Sequence, residues 1–300
     1  MKKGNEIMVS VAMITYMHEH ILEEAINSVL MQECDFEVEL IIADDCSPDN
    51  TEAIVKQIIR SHPNGHWIKY TRHRNNTGVA ANFAWSMLAG KGKYIAICEG
   101  DDYWIDSKKL QNQVDFLERN SNYSMTCHAT NEVDESGKVF KVANREEEVI
   151  DLATVFKEGW FIRTASMVFR KSCIERGFPD FFYSAYSTDY ILQILILMHG
   201  DCYYMAGIMS AYRRHPGGVT NSSNEIRLKR LLQKVKLLDR LDEYTKLEYS
   251  VEIKSQKSNI GRAISWNLLK YPKLLSTISL KELVKYLFSF DTLRMLSKRI

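Results

Sequence analysis

Apolar and polar positions along the first hundred residues alternate between two periods. Residues 8–15 (MVSVAMIT) form a nearly continuous apolar run, as expected of a strand covered on both faces. Residues 20–31 follow with Ile21, Leu22, Ala25, Ile26, Val29 and Leu30 at helical spacing. The alternation then repeats: a strand over 37–43, a helix over 51–61, a strand over 67–71, a helix over 80–89 and a strand over 93–98. Cys46-Ser47-Pro48-Asp49-Asn50 and Asn75-Asn76-Thr77-Gly78 read as the loops that open the second and third helices, and Gly90-Lys91-Gly92 closes the third. Four strand–helix alternations with short connections predict an α/β, Rossmann-like, mostly parallel sheet with helices on both faces.

The later pattern is more mixed. It predicts a helix over 108–120, strands over 124–130 and 138–142 and a short helix over 151–158. A strand over 165–169, a helical turn over 172–176, an apolar helix over 189–198 and one or two strands within 202–212 follow. After Thr220 the chain reads as helical to its end, broken near Pro272. The expected organisation is therefore an α/β domain over 1–221 and a helical C-terminal extension over 222–300.

Composition adds little to this, but the distribution of charge and thiols does. The net charge is +1, yet residues 222–300 hold 17 Lys/Arg against 8 Asp/Glu, so an acidic front joins a basic tail. Six scattered cysteines without a CxxC pair read as reduced thiols of a cytoplasmic protein, not a disulfide framework or zinc site. Lys2 and Lys3 precede an apolar run of about eight residues with no small-residue cleavage site, which suits a buried first strand better than a signal peptide. With no apolar run of about 18 residues, no transmembrane helix is expected.

The chemistry gathers where the strands end, which is where ligands bind on open parallel sheets. The apolar run Tyr94-Ile95-Ala96-Ile97-Cys98 stops at Glu99-Gly100-Asp101-Asp102. Three carboxylates in four residues repel one another and call for a cation; oxygen ligands favour Mg2+ or Mn2+, which would neutralise a diphosphate. A solvated acidic turn is the plain alternative. Asp44-Asp45 ends the second strand, either as helix caps or with one carboxylate accepting the imide N–H of a pyrimidine. Thr15 and Tyr16, on the neighbouring strand end, would contact or stack on that base. Arg74 lies in the segment Arg72-His73-Arg74-Asn75, near a diphosphate or simply solvated. Asp189 opens an apolar helix, as a first-turn acid complementing the helix dipole or as a general base. Tyr212–Gly218, with Arg213, Arg214 and His215, reads as a basic loop or as a lid over phosphate or metal.

In order along the chain, VSVAMITYMHEHILEEAINSVLMQ, ELIIADDCSPDNT, NNTGVAANFAWSMLAGKGKYIAICEGDDYWID and, more weakly, Ser187-Thr188-Asp189 and Tyr212–Gly218 resemble the GT-A glycosyltransferases of family 2. The resemblance covers about residues 7–220 and implies an inverting hexosyl or hexosaminyl transfer from a nucleotide-diphosphate sugar, with UDP favoured, to a glycan or lipid-linked acceptor in polysaccharide synthesis. It places Thr15, Tyr16, Asp44, Asp45, Arg74, Glu99 and Asp101 around the nucleotide, and Asp101, Asp102 and His215 at the metal. Arg213 and His215 fall at the diphosphate, and Asp189 at the catalytic base. Met17 departs from the family's usual Asn and Glu99 from its commoner Asp.

The tail lies outside the resemblance. It reads as a helical cover, or as a peripheral contact with an anionic membrane through Leu283, Tyr286, Leu287, Phe288 and Phe290 beside Lys281 and Lys285. No nucleic-acid partner is expected. Rival readings are an inactive scaffold of the same fold and a nucleotidyltransferase. The latter would want a Gly-rich basic loop where Tyr16-Met17-His18-Glu19 stands. No GxGxxG follows a strand, which disfavours a dinucleotide enzyme.

Overall fold

Residues 6–214 and 224–271 are described by the structure, a computed structural model. They group into two compact units, one of residues 6–152, 162–184 and 188–214, the other of residues 153–161, 185–187 and 224–271.

The first unit is organised on a ten-stranded sheet. Its first half contains β1 (Ile7–Thr15), β2 (Glu37–Asp44), β3 (Ile68–Arg72) and β4 (Tyr94–Ile97), in the order β3-β2-β1-β4 and all parallel. Helices α1 (Leu22–Leu30), α2 (Thr51–Ser61) and α3 (Val79–Ala89) make the crossovers. The second half is built from β5 (Tyr103–Trp104), β6 (Tyr123–Val133), β7 (Val139–Ala143), β8 (Glu148–Ile150), β9 (Val168–Arg170) and β10 (Asp201–Arg213). Beyond β4 the order runs β9-β6-β10-β5, with β9 antiparallel to both its neighbours, β10 parallel to β6 and β5 antiparallel to β10. β7 pairs with the end of β6, and β8 with the start of β10. Helices α4 (Lys109–Arg119), α6 (Asp180–Tyr183) and α7 (Thr188–Leu197) fill connections of this unit, whereas α5 (Leu152–Glu158) belongs to the second unit but for its first residue. The expected mostly parallel sheet is present, with β9 set into it antiparallel and the short strands β5, β7 and β8 added antiparallel in its second half.

Alternation along β1 explains the layering. Val9, Val11 and Met13 join Leu22, Ile26 and Val29 of α1, Val55 and Ile58 of α2, and Leu110, Val114 and Leu117 of α4 in one apolar core. Each such side chain contributes roughly 1.5–3 kcal/mol on burial. That outweighs the missing side-chain caps of α1, α2 and α3, worth about 1 kcal/mol each. The intervening Ser10 turns the other way. Its Oγ donates to buried Glu39 (2.6 Å) and accepts from Gly92 N (2.7 Å), while Lys91 N also donates to Glu39 (2.6 Å). This polar staple fixes the turn that feeds β4, and with it the acids that follow. An added Cβ at Gly92 would lie 2.6 Å from Ser10 N, so only glycine fits there.

Some predicted elements shift. Residues 165–169 are not one strand: a 3-10 turn, Thr164–Ser166, precedes β9. β10 is a single strand whose register slips twice between Met205 and Ser210. In the second unit, α8 (Asn224–Tyr244) and α9 (Ser250–Lys270) pack on each other; α8 buries Leu228, Leu232, Val235, Leu238 and Leu241, and α9 buries Ile253, Ile260, Ile264 and Leu268. The break falls where Lys246 and Leu247 take left-handed backbone (φ 56° and 65°), and Leu247 N donates to Asp242 O (2.8 Å). The expected break at Pro272, the boundary at 221/222, His215 and the membrane-contact residues 281–290 lie outside the described residues. Among the described residues no helix is long and apolar enough to cross a membrane.

Candidate active site

The parallel strands β1 to β4 bring their carboxyl ends to one edge, and hydrogen bonds knit those ends together. Asp45 N donates to Thr15 O (3.0 Å), His73 N to Asp44 O (2.8 Å) and Gly100 N to Ile14 O (2.9 Å). Thr15, Asp44, Asp45, the segment 72–78 and the acidic loop 99–102 are thus neighbours.

Asp44 is fully buried and shapes the rim. Its carboxylate accepts from Tyr70 Oη (2.6 Å) and Ser47 N (2.8 Å). Asp45 clasps the turn before α3, accepting from Thr77 N (2.7 Å), Thr77 Oγ1 (2.8 Å) and Gly78 N (2.9 Å). Neither caps α2, whose first turn is served by Asp49 instead. Thr15 Oγ1 is buried and makes no hydrogen bond, whereas Tyr16 is 42% exposed. Arg74 is exposed on the facing segment. Two rim residues, Met17 (φ 58°) and Cys46 (φ 67°), take left-handed backbone. Their loops are cross-linked by Met17 N to Ser47 Oγ (3.1 Å), Glu19 N to Asp49 Oδ2 (3.1 Å) and Asn50 N and Nδ2 to Glu19 Oε2 (2.9 and 2.8 Å). Asn tolerates this conformation better than Met, which gives the departure at Met17 a physical meaning.

The acidic loop is anchored from three sides. Gly100 sits so close to β1 that a Cβ would lie 3.0 Å from Ile14 O, Leu22 Cδ1 and His18 Nδ1. Thr164 Oγ1 donates to Glu99 Oε2 (3.3 Å). Arg213 closes the third side: its N–H donates to Asp102 Oδ1 (3.0 Å) and its Nε to Asp101 O (3.2 Å), its guanidinium pairs with Glu24, and it stacks over Tyr103 at 5.0 Å. Arg213 is only 6% exposed. It sits as a tether under the acids, not out on a lid, because β10 runs on through it.

Crowding raises the acids' proton affinity. Burial, then the charges of Asp101 and Asp189, push Glu99 up to about 8. Burial, Asp101 and Glu99 hold Asp102 well above the usual carboxylate range, against the Arg213 N–H. The influence of Asp189 on Glu99 brings the first turn of α7 to the same site, although about ninety residues separate them in sequence. Asp102 Oδ2 is buried and makes no hydrogen bond. Among the described residues no three His, Cys, Asp or Glu converge at metal-ligand spacing. A magnesium-type ion needs only one or two carboxylates, with phosphate oxygens and water completing its shell. The crowded acids and the orphaned Asp102 oxygen fit that requirement.

Sequence reasoning missed the layer behind this loop. Trp104 Nε1 donates to Ala165 O (2.9 Å), and Gln113 Nε2 to Ser166 O (2.9 Å) and Thr126 Oγ1 (3.1 Å). Lys109 Nζ, fully buried, donates to Gln113 Oε1 (2.8 Å) and lies 4.1 Å from the Trp104 ring centroid. This lattice holds the turn that carries Thr164. Burial pushes Lys109 down to about 7, whereas the unfolded chain's lysine titrates near 10.4. Between those values the unfolded chain binds the extra proton, so stability rises with pH across the window and the penalty is complete below pH 7. Lys109→Met is expected to flatten that slope, with the difference from wild type, on the order of a few kcal/mol, largest near pH 6. Denaturant melts from pH 6 to 10 check this; parallel curves would contradict it.

Comparison with known proteins follows the same lines. The family model described as glycosyl transferase family 2 matches residues 10–178. An uncharacterized protein of Mycobacterium tuberculosis is 30% identical over 217 residues, 71% of this chain and 61% of the relative. The chain thus spans about three fifths of that relative's length. The putative teichuronic acid biosynthesis glycosyltransferase TuaG of Bacillus subtilis is 33% identical over 123 residues, 41% of this chain and 47% of its own. Among solved structures, S. aureus TarS 1–349 in complex with UDP-GlcNAc aligns with a TM-score of 0.66 at 17% identity, covering 94% of this chain and 79% of that one. The mannosyltransferase PcManGT of Pyrobaculum calidifontis, in complex with GDP-Man and Mn2+, aligns at 0.61 and 17%, covering 94% and 81%. These distant likenesses speak to the fold, which is the GT-A architecture expected from the sequence. The chain belongs to glycosyl transferase family 2.

Proposed function

We propose that the chain transfers a sugar from a UDP-sugar, with inversion, to an acceptor hydroxyl in the synthesis of a cell-surface polysaccharide. The observation that carries this is the crowding of Glu99, Asp101 and Asp102 beside the ends of β1 and β2, with Asp189 near enough for its charge to act on Glu99. The names of TuaG and the ligands of TarS and PcManGT support the substrate class.

In this reading Thr15 Oγ1 and Asp45 take the polar edge of the base, and exposed Tyr16 stacks on it. Arg74 reaches toward the phosphates, and Glu99 and Asp101 toward the ribose. Asp101 and Asp102 would hold Mn2+ or Mg2+, which when bound would neutralise charge on the departing diphosphate. Asp189 accepts the proton of the acceptor hydroxyl as that oxygen attacks the anomeric carbon. The carbon–oxygen bond to the diphosphate breaks on the opposite face, which inverts the configuration. Arg213 holds the acid loop in place, and Thr164 orients Glu99. The basic helical tail would lie near the membrane on the cytoplasmic side, where a lipid-linked acceptor is met.

Calorimetric titration with UDP tests the reading. Binding is expected with Mn2+ present, and chelation should weaken it tenfold or more, about 1.4 kcal/mol. Absence of binding by any nucleoside diphosphate, with or without metal, would favour an inactive scaffold.

A further inference from the structure

Glu132, near the end of β6, is completely buried, and three cations converge on it. Arg163 Nη2 lies 2.7 Å from Oε1, Lys141 Nζ 3.2 Å from the same oxygen, and Arg214 Nη2 2.6 Å from Oε2. One carboxylate is matched by a single guanidinium, so around Glu132 itself two positive charges are in excess; Arg163 also acts on Asp102, which leaves Lys141 and Arg214 as the cations without a second acid. Each Arg has about five N–H donors and the Lys about three, and the bonds to Glu132 use only a few of them. The Lys141 and Arg214 side chains are 58% and 44% exposed, and Arg163 Nε is buried without a hydrogen bond. The remaining donors of Lys141 and Arg214 are therefore presented to an incoming ligand, and Arg163 anchors the cluster from below. Tyr212 under Arg163 (5.0 Å) and Phe140 under Arg214 (5.3 Å) hold both guanidinium planes.

The cluster's position says which ligand. Arg163 precedes Thr164, which bonds Glu99, and Arg214 follows Arg213, whose N–H bonds Asp102. The cations therefore adjoin the acid loop. Lys141 stands on β7, Arg163 just before the 3-10 turn that leads into β9, and Arg214 just past the end of β10, in the opposite half of the sheet from the ends of β1, β2 and β3, where the nucleotide candidates lie. We propose that Lys141, Arg163 and Arg214 form an acceptor subsite that binds a phosphate oxyanion attached to the acceptor. Guanidinium forks suit phosphate oxygens, and the excess charge suits a dianion or phosphodiester. This assignment to the acceptor rests on the transferase reading above; the anion site itself does not.

The test uses the full chain and a Lys141→Gln/Arg214→Gln variant, which keeps the buried Arg163–Glu132 pair; thermal melts confirm its folding. Calorimetry is run with a glycerol phosphate trimer, with an N-acetylglucosaminyl diphosphate carrying a short prenyl chain, and with UDP plus Mn2+. Wild type is expected to bind one of the two phosphate probes, less tightly as salt rises, and the tighter one names the source as polymer or lipid. The variant should lose tenfold or more for that probe and keep its UDP affinity within twofold. Unchanged probe binding would overturn the proposal, as would a parallel loss of UDP affinity, which would assign the cations to the donor. Wild-type protein that binds the phosphate probe but never UDP would instead defeat the transferase reading and leave the anion site standing.

Discussion

Asp189→Asn is expected to lower sugar transfer by about 10²–10⁴-fold while UDP affinity in the presence of Mn2+ stays within twofold. The amide keeps the size and the hydrogen-bonding reach of the carboxylate but cannot take the acceptor's proton. Asp189 stands in the first turn of α7, followed by the buried run Tyr190–Leu197, so the helix itself is held by packing. Loss of the charge there removes a favourable interaction with the helix dipole worth roughly 0.3–1 kcal/mol, too little to unfold the chain. Transfer assays alongside UDP titrations separate chemistry from donor binding. Turnover at the wild-type rate would remove Asp189 from the role of base.

Glu132→Gln is expected to cost about 3–5 kcal/mol of stability, the largest loss among the charged positions. Burial alone would raise the Glu132 proton affinity, but the hydrogen bond and charge of Arg163, then Lys141 and Arg214, win and hold it below the usual carboxylate range. A depressed carboxylate contributes stability that is present above its unfolded value and lost as pH falls through the lower folded one. The neutral amide removes that contribution and leaves three cations facing one another. Lys141→Gln alone should cost under about 1 kcal/mol, since its partly solvated ammonium is screened. Guanidinium or urea midpoints in low and high salt check both. The Glu132→Gln variant should regain part of its loss in salt, and a loss below about 1 kcal/mol would show that the three cations do not depend on this acid.

What was legible beforehand divides along the sheet. The first four strands and their helices follow from local periodicity, and the predicted helix over 51–61 coincides with α2. The acids at the strand ends were legible because an apolar run stops abruptly at each. The second half depends on pairing between distant residues. β5 is two residues long and exists only because Tyr103 and Trp104 pair with Ala211 and Ser210. β8 likewise needs β10. No Gly or Pro marks the turn between α8 and α9, where Lys246 and Leu247 carry the left-handed backbone. Glu132 sits in a strand of mixed residues, with its partners 9, 31 and 82 positions away. Nothing local reveals that it is the centre of a charge cluster. Arg213 looked like part of a basic loop because Arg214, His215 and Pro216 follow it, yet the strand carries it into contact with Asp101 and Asp102.

The two left-handed residues of the rim, Met17 and Cys46, have one more consequence. Each costs about 1–2 kcal/mol relative to ordinary backbone. The four hydrogen bonds between their loops, each worth about 0.5–1.5 kcal/mol net, offset that cost. The rim's shape is therefore imposed by the scaffold before any ligand arrives. On the proposed transferase reading, a base entering beside Thr15 and Asp45 would meet loops whose freedom was already given up on folding, so little of its affinity would be spent on ordering the chain.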